Sequence, residues 1–278
     1  MYTVVTSLGD NSLAIFLVPI HTYLVGAFNT IINDSKISRI GLIQGLSQGS
    51  LQTFVFLWSP ALRKFAEYAP AGTLGVDEDG QPEYGLIFGA FMACGVLGGF
   101  AESFFHRLMT RFTSPQEVLK EEKTSSSDGT VQSSEGDFKP VAVDFLCTIC
   151  YLFSALLFVV PVLVSKDSAY SFSICAGAFL VYEFLVGLYM PCEGVIRSSY
   201  MPNDSICSLM TMLRVVVNVA VALGVVSTNY VSFTSAFAAL SVMMVVSAIL
   251  QISLVPREEL FQIFKKLKKL RHGKEKVA

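Results

Sequence analysis

Two ionisable residues interrupt stretches that are otherwise apolar: Glu183 in FLVYEFLVGLYM and Arg214 in LMTMLRVVVNVAVAL. An ionisable side chain among lipid tails costs at least a few kcal/mol, so each is a functional candidate by default. A guanidinium presents a fork of N–H donors suited to an oxyanion, and a carboxylate nearby can take up a proton as the anion enters. Uncharged amides extend the set. Gln44, Gln48 and Gln52 recur every four residues and share one helix face, as do Arg214 and Asn218. The alternative for Glu183 and Arg214 is a structural ion pair or interhelical brace.

The elements that must hold these groups are membrane spans. With 53% hydrophobic residues, 15% charged residues and a mean hydropathy of +0.57, the chain exceeds what a soluble domain of this length can bury. The apolar residues gather in runs of about 20, enough for a helix to cross a hydrocarbon core. Spans are expected at 85–105, 141–164, 170–190, 207–227 and 231–254, with a sixth at 40–62 that the three glutamines make less apolar. Segment 13–32, weakened by Pro19, His21 and Asn29, is expected to lie at the interface, with a seventh crossing as the alternative. The expected fold class is therefore an all-α membrane protein, a six-helix transmembrane bundle.

If each span is reckoned from its cytosolic end, with Glu183 seven residues before Met190 and Arg214 seven after Cys207, both sit about 10 Å deep. Gln48, eight residues in from Ile40, sits about 12 Å deep. Three helices then bring polar groups to one level. Gly41, Gly45 and Gly49, and on the next span Gly85, Gly89, Gly95 and Gly99, form ladders expected to let helices approach closely.

Organisation follows from composition. Residues 1–39 form an N-terminal interfacial and connecting segment, and 40–106 hold the first two spans. A polar linker at 107–140 separates these from four spans at 141–255, and 256–278 form a basic amphipathic tail. In that tail Leu260, Phe264, Leu267 and Leu270 fall on one stripe, as in a helix lying on an anionic leaflet. Of the 20 Lys and Arg, one orientation leaves only Arg63, Lys64 and Lys166 outside, with Arg214 within a span, so both termini are expected in the cytosol of a plasma-membrane protein. Asn33 and Asn203 begin N-x-S sequons that this orientation keeps cytosolic. Cys94, Cys147, Cys150, Cys175, Cys192 and Cys207 lie in or beside apolar runs and read as unpaired thiols. No secretory signal is evident at the N-terminus.

Enzyme signatures are missing: the chain has no G-x-x-x-x-G-K-S/T loop, no G-x-S-x-G elbow and no H-E-x-x-H. Non-enzymatic work without cofactor, metal or nucleic acid is expected.

At the same polar residues the sequence resembles the molybdate-anion transporters of the major facilitator superfamily. IGLIQGLSQGSLQTFVFLWSPAL, at 40–62, is similar to that family's seventh helix with its F-V-F-L-W-T/S-P ending. The stretch from Tyr182 to Val219 is similar to its tenth and eleventh helices, with the patterns E-x-x-x-G-L-Y-x-P, R-x-x-x-x-P and R-x-x-x-N on Glu183 to Pro191, Arg197 to Pro202 and Arg214 to Asn218. Three departures stand out. Gln48 replaces a usual glutamate, Val215 and Val216 stand where a proline is expected, and the resemblance covers only the second six-helix half, roughly 25–254 without the linker.

The resemblance implies transport of molybdate or a similar oxyanion by a half or fragment of such a transporter. Arg214 would bind the anion, Gln48, Gln52 and Asn218 would line its path, and Glu183 would couple a proton. Sites in this architecture lie between two halves, so the implied partners are a lipid bilayer and a missing N-terminal half or a second copy of the chain. The rival expectations are a non-transporting scaffold or regulatory subunit worked through the linker and tail, and a sugar or drug transporter of the same superfamily.

Overall fold

The computed structural model describes residues 33–113, 141–165, 168–201, 206–227 and 232–261, together with Gly26 and Lys265. The interfacial segment 13–32, most of the linker and most of the tail stripe lie outside the described residues. Six long helices carry the described fold: α1 (Ser35–Ala66), α2 (Tyr84–Thr113), α3 (Val141–Leu163), α4 (Ser171–Tyr200), α5 (Ile206–Ser227) and α6 (Phe233–Ile252). Among the described residues there is no strand, only an isolated bridge between Val76 and Pro82 in the turn joining α1 to α2.

Two of the helices start at a residue whose side chain caps them. The Asp34 carboxylate accepts from the backbone N–H of Lys36 at 2.8 Å and opens α1, and the Ser232 hydroxyl accepts from Ser235 N–H at 3.2 Å and opens α6. Side-chain acceptors there satisfy N–H groups that the first helical turn cannot. Four helices, α2, α3, α4 and α6, are long and apolar enough to cross a membrane by length and composition. The other two are less apolar for different reasons. In α1 the polar side chains themselves lower the hydropathy, whereas in α5 the apolar stretch counted among the described residues is the short Leu209–Val219.

Two helices outrun their expected ends. α2 continues to Thr113, into what composition assigns to the linker. α4 continues through Pro191 to Tyr200, ten residues past the span end read at Met190. A proline in a helix removes one intrahelical bond and often ends it. Here the packed neighbours hold the turn, because Cys192, Glu193 and Ile196 beyond the proline are all buried.

The helices alternate between two ends of the bundle, a linker end bordered by Ser35, Thr113, Val141 and Tyr200 and a hairpin end capped by the α1–α2 turn. At the linker end Asp144, 0% exposed, accepts from Gln251 Nε2 at 2.8 Å and from the Tyr200 hydroxyl at 3.0 Å, tying α3, α6 and α4 together. At the hairpin end Lys64 of α1 stands 5.3 Å from the Phe233 ring of α6. Between them lies an aromatic core. Phe54 packs against Phe179 at 5.1 Å and Tyr182 at 4.8 Å between ring centroids, and Phe179 stacks on Phe237 at 5.6 Å. Thus Phe54 and Trp58 of the F-V-F-L-W motif serve packing, with Trp58 edge-on to Phe91 at 5.1 Å.

The closest helix crossing joins α2 and α4, and it depends on glycine. A Cβ on Gly187 would overlap the Gly95 carbonyl, and one on Gly98 would overlap the Phe184 carbonyl. Of the ladder read on α2, Gly95 and Gly99 face α4, but Gly85 and Gly89 face open space, and the tightest position, Gly98, falls off the four-residue spacing. On α1 the ladder works against two helices: a Cβ on Gly45 would stand 3.6 Å from Val217 of α5, and one on Gly49 would stand 3.4 Å from the Met243 methyl of α6. The six cysteines are all free thiols.

Candidate functional site

Polar side chains gather in two places, on adjoining faces of α1. The first is open. Gln52 on α1 and Arg214 and Asn218 on α5 are exposed. The two helices run side by side with Gly45 against Val217. Gln52, seven residues or about two turns beyond Gly45, keeps nearly the same side of α1, while Arg214 and Asn218 flank Val217 on α5. Arg214 has no ion pair or hydrogen bond among the described residues. Exposed apolar residues are also found on these two helices, Leu42 on α1 and Val215 and Val219 on α5.

The second place is closed and centres on a residue that the span limits left out. Glu193 of α4 is 1% exposed. Its Oε1 accepts from the Ser47 hydroxyl of α1 at 2.6 Å and from the Tyr151 hydroxyl of α3 at 2.8 Å. Its Oε2 accepts from Gln48 Nε2 at 3.4 Å and stands 4.0 Å from Nη1 of Arg197, one turn on. Gln44 closes the arrangement from both sides. Its Nε2 donates to the Glu193 carbonyl at 3.4 Å, while its Oε1 accepts from Arg197 Nη1 at 3.2 Å. Every partner of the carboxylate is a donor, which is the surrounding that an ionised, acceptor-only carboxylate requires. A buried charge is tolerated when hydrogen bonds and a countercharge replace its water.

The structural ion pair of Glu183 with Arg214, the alternative to a functional role, does not form among the described residues, and the two do not share a depth. Glu183 is 7% exposed, its backbone carbonyl lies against α2 opposite Gly95, and its carboxylate has no hydrogen-bond partner among the described residues. Its neighbour Tyr182 packs on Phe54, whereas Arg214 lies one turn from Val217, at the level of Gly45. Nine residues of α1, about 13 Å, separate those levels. The depths matched in the sequence only because α4 was ended at Met190. Measured from its actual end at Tyr200, Glu183 is seventeen residues, about 26 Å, from the linker end, against about 12 Å for Arg214.

The glutamines also part company. Gln44 and Gln48 turn inward to the Glu193 cluster, and Gln52 faces outward. A residue every four positions drifts around the helix, so a stripe of three can serve two environments. The signal that could have pointed to Glu193 is local: Tyr189, Glu193 and Arg197 follow at four-residue spacing, a polar face that continues past the proline.

Fold and site together define a class, an all-α membrane protein with polar groups held within its helices. A family described as sugar transporters with 12 transmembrane segments matches residues 15–122. A molybdate-anion transporter of Xenopus tropicalis is 23% identical over 194 residues, 70% of this chain and 33% of the relative. One of Takifugu rubripes is 22% identical over 196 residues, 70% of this chain and 32% of the relative. The chain is thus similar to the molybdate-anion transporters of the major facilitator superfamily, and the match spans about a third of the length of these curated relatives. No solved structure matches.

Proposed function

We propose that the chain is the C-terminal half of a transporter for molybdate or a related oxyanion, with the exposed α1–α5 face forming one wall of the anion path. The observation that carries this reading is the exposed Arg214, with Gln52 and Asn218 beside it, on helices that otherwise show apolar residues to their surroundings. Lipid would charge several kcal/mol for an arginine there, so the face meets water or another polar protein surface. Arg214 supplies the positive charge and the donor fork for the anion, and Gln52 and Asn218 supply amides. Gln48 supports this wall from behind through its bond to Glu193. The facing wall comes from an N-terminal half or a second copy of the chain, in a plasma membrane with both termini cytosolic. Glu183 stays a candidate for proton coupling, acting through α4 at a distance from Arg214.

Uptake of labelled molybdate into vesicles tests the reading. Arg214→Ala is expected to lower uptake at least tenfold, the loss of one charge-assisted contact of about 1.5–3 kcal/mol. Normal uptake by Arg214→Ala and Glu183→Gln, each present at the usual level in the membrane, would sink both assignments. The match to a family of sugar transporters favours a second reading, in which the cargo is a sugar. Competition separates them: sulfate and tungstate should displace an oxyanion cargo, and only sugars a sugar cargo.

A further inference from the structure

The carboxylate in the interior of this half-bundle is set among more hydroxyl groups than its own hydrogen bonds use. Ser47, Tyr151 and Glu193 form the cage. One helical turn further toward the hairpin end, on the same three helices, stand Ser50, Ser154 and Tyr189, and two turns beyond Tyr189 stands Tyr182. The side-chain oxygens of these last four are buried and outside ordinary hydrogen-bond distance of any described group, with the Tyr182 and Tyr189 hydroxyls close enough to interact with each other. A buried hydroxyl without a partner costs about 1–3 kcal/mol, so Ser50 and Ser154 in particular favour a water beside them. Spacings of three or four residues keep each of Ser50, Ser154 and Tyr189 on the same helix face as its caged neighbour. The seam therefore leads from Glu193 toward the level of Tyr182 and Glu183.

We infer that Glu193 and this hydrated hydroxyl seam form a proton-binding site inside the half-bundle, separate from the anion face and joined to it through α1. The inference rests on the transport reading for its purpose, and on the cage geometry for its existence. α1 is the shared element: Ser47 and Gln48 bind the carboxylate, and Gln52, one turn from Gln48, faces the anion path. Uptake of a proton from water forms an O–H bond on the carboxyl group and removes its negative charge. Ser47, Tyr151 and Gln48 then lose an ionic acceptor, and Arg197 loses its countercharge while keeping Gln44. The hold of α4 on α1 weakens, and α1 is free to shift against α4.

The groups around the site favour this assignment. On α1 no titratable side chain faces it, and on α3 the neighbours are Tyr151 and Cys147. On α4 they are Arg197, Tyr189 and Cys192, the last of which donates toward Glu102 of α2 across 3.7 Å. Arg197 is the countercharge, and its side chain is 26% exposed, so the cage reaches its surroundings through Arg197 and the half-buried Gln48.

Two readouts on the full chain in lipid vesicles test the inference. Infrared difference spectra on acidification are expected to show, among the carboxylic C=O bands, one component that is missing from Glu193→Gln and retained in Glu183→Gln and Asp144→Asn. Spectra of Glu193→Gln that match the parent chain's in every component overturn the assignment. If Glu193→Gln does not reach the membrane, Glu193→Asp keeps the carboxyl and should move one component's frequency, and spectra with no component moved overturn it equally. In transport, Glu193→Gln is expected to make anion uptake indifferent to an imposed pH gradient while exchange of internal for external anion continues. A gradient response retained in Glu193→Gln means that the cluster is only a brace and overturns the inference. The infrared titration needs no cargo, so a vesicle assay without anion uptake sinks the proposed function while the spectra still decide the fate of the Glu193 site.

Discussion

The open face of Arg214 and the closed cage of Glu193 hold opposite charges on neighbouring helices, yet their surroundings differ in kind. Around Glu193, α1, α3 and α4 each contribute a donor, and the charge is satisfied within the chain. Around Arg214 the described residues contribute none, and the side chain faces outward from a pair of helices. A charge satisfied internally stabilises the fold only as a set, because removing one member leaves the rest buried and unpaired. A charge without internal partners can be removed with little structural consequence, so its presence points to something outside the half-bundle.

The contrast gives its largest expected effect in stability. Glu193→Ala strands the Ser47, Tyr151 and Gln48 donors and should destabilise the bundle by about 3–5 kcal/mol, whereas Arg214→Ala should change stability by less than about 0.5 kcal/mol. Unfolding of the two variants in detergent measures both, and equal losses would erase the distinction. Accessibility comes next. Cysteines introduced by Arg214→Cys and Asn218→Cys should react with a membrane-impermeant thiol reagent, the Asn218 position being protected by the transported anion, while Glu193→Cys should stay unreactive. Labelling of the Glu193 position as fast as the other two would show the cage to be open. Single donors should matter less: Ser47→Ala and Tyr151→Phe are each expected to cost about 1 kcal/mol, with a combined loss that departs from their sum because both bind one oxygen. Strict additivity in a double-mutant cycle would argue that the two hydroxyls act independently. The smallest effect belongs to Gln52→Ala, an uncharged side chain on the open face, where a rise in KM of roughly threefold, about 0.6 kcal/mol, is expected without loss of stability.

Much of the fold was legible because membrane spans announce themselves by length and hydropathy, and the polar residues within them announce themselves by their cost. Glu193 was hidden by the same logic. A stretch of about 20 apolar residues ending at Met190 already suffices to cross a bilayer, and Pro191 offers a natural stop, so the ten residues beyond looked like loop. Burial of Cys192 and Ile196 against the other helices keeps α4 going, and no local pattern states that. The glycine ladders were half legible for a related reason. Spacing marks residues that share a face, but Gly85 and Gly89 meet nothing while Gly98 meets a carbonyl, since helices that cross touch over only a few turns.

By itself the sequence determined the number and positions of the apolar helices, the residue types unsuited to lipid and the family resemblance, because these depend on transfer free energies and covalent order alone. The tertiary structure decided which polar groups meet. It set Glu193 between α1 and α3, left Arg214 without an internal partner and separated Arg214 from Glu183 by depth. The reason is that partners on different helices are fixed by how far each helix runs and which neighbour it crosses, quantities set by packing across the whole bundle and not by spacing along any one helix.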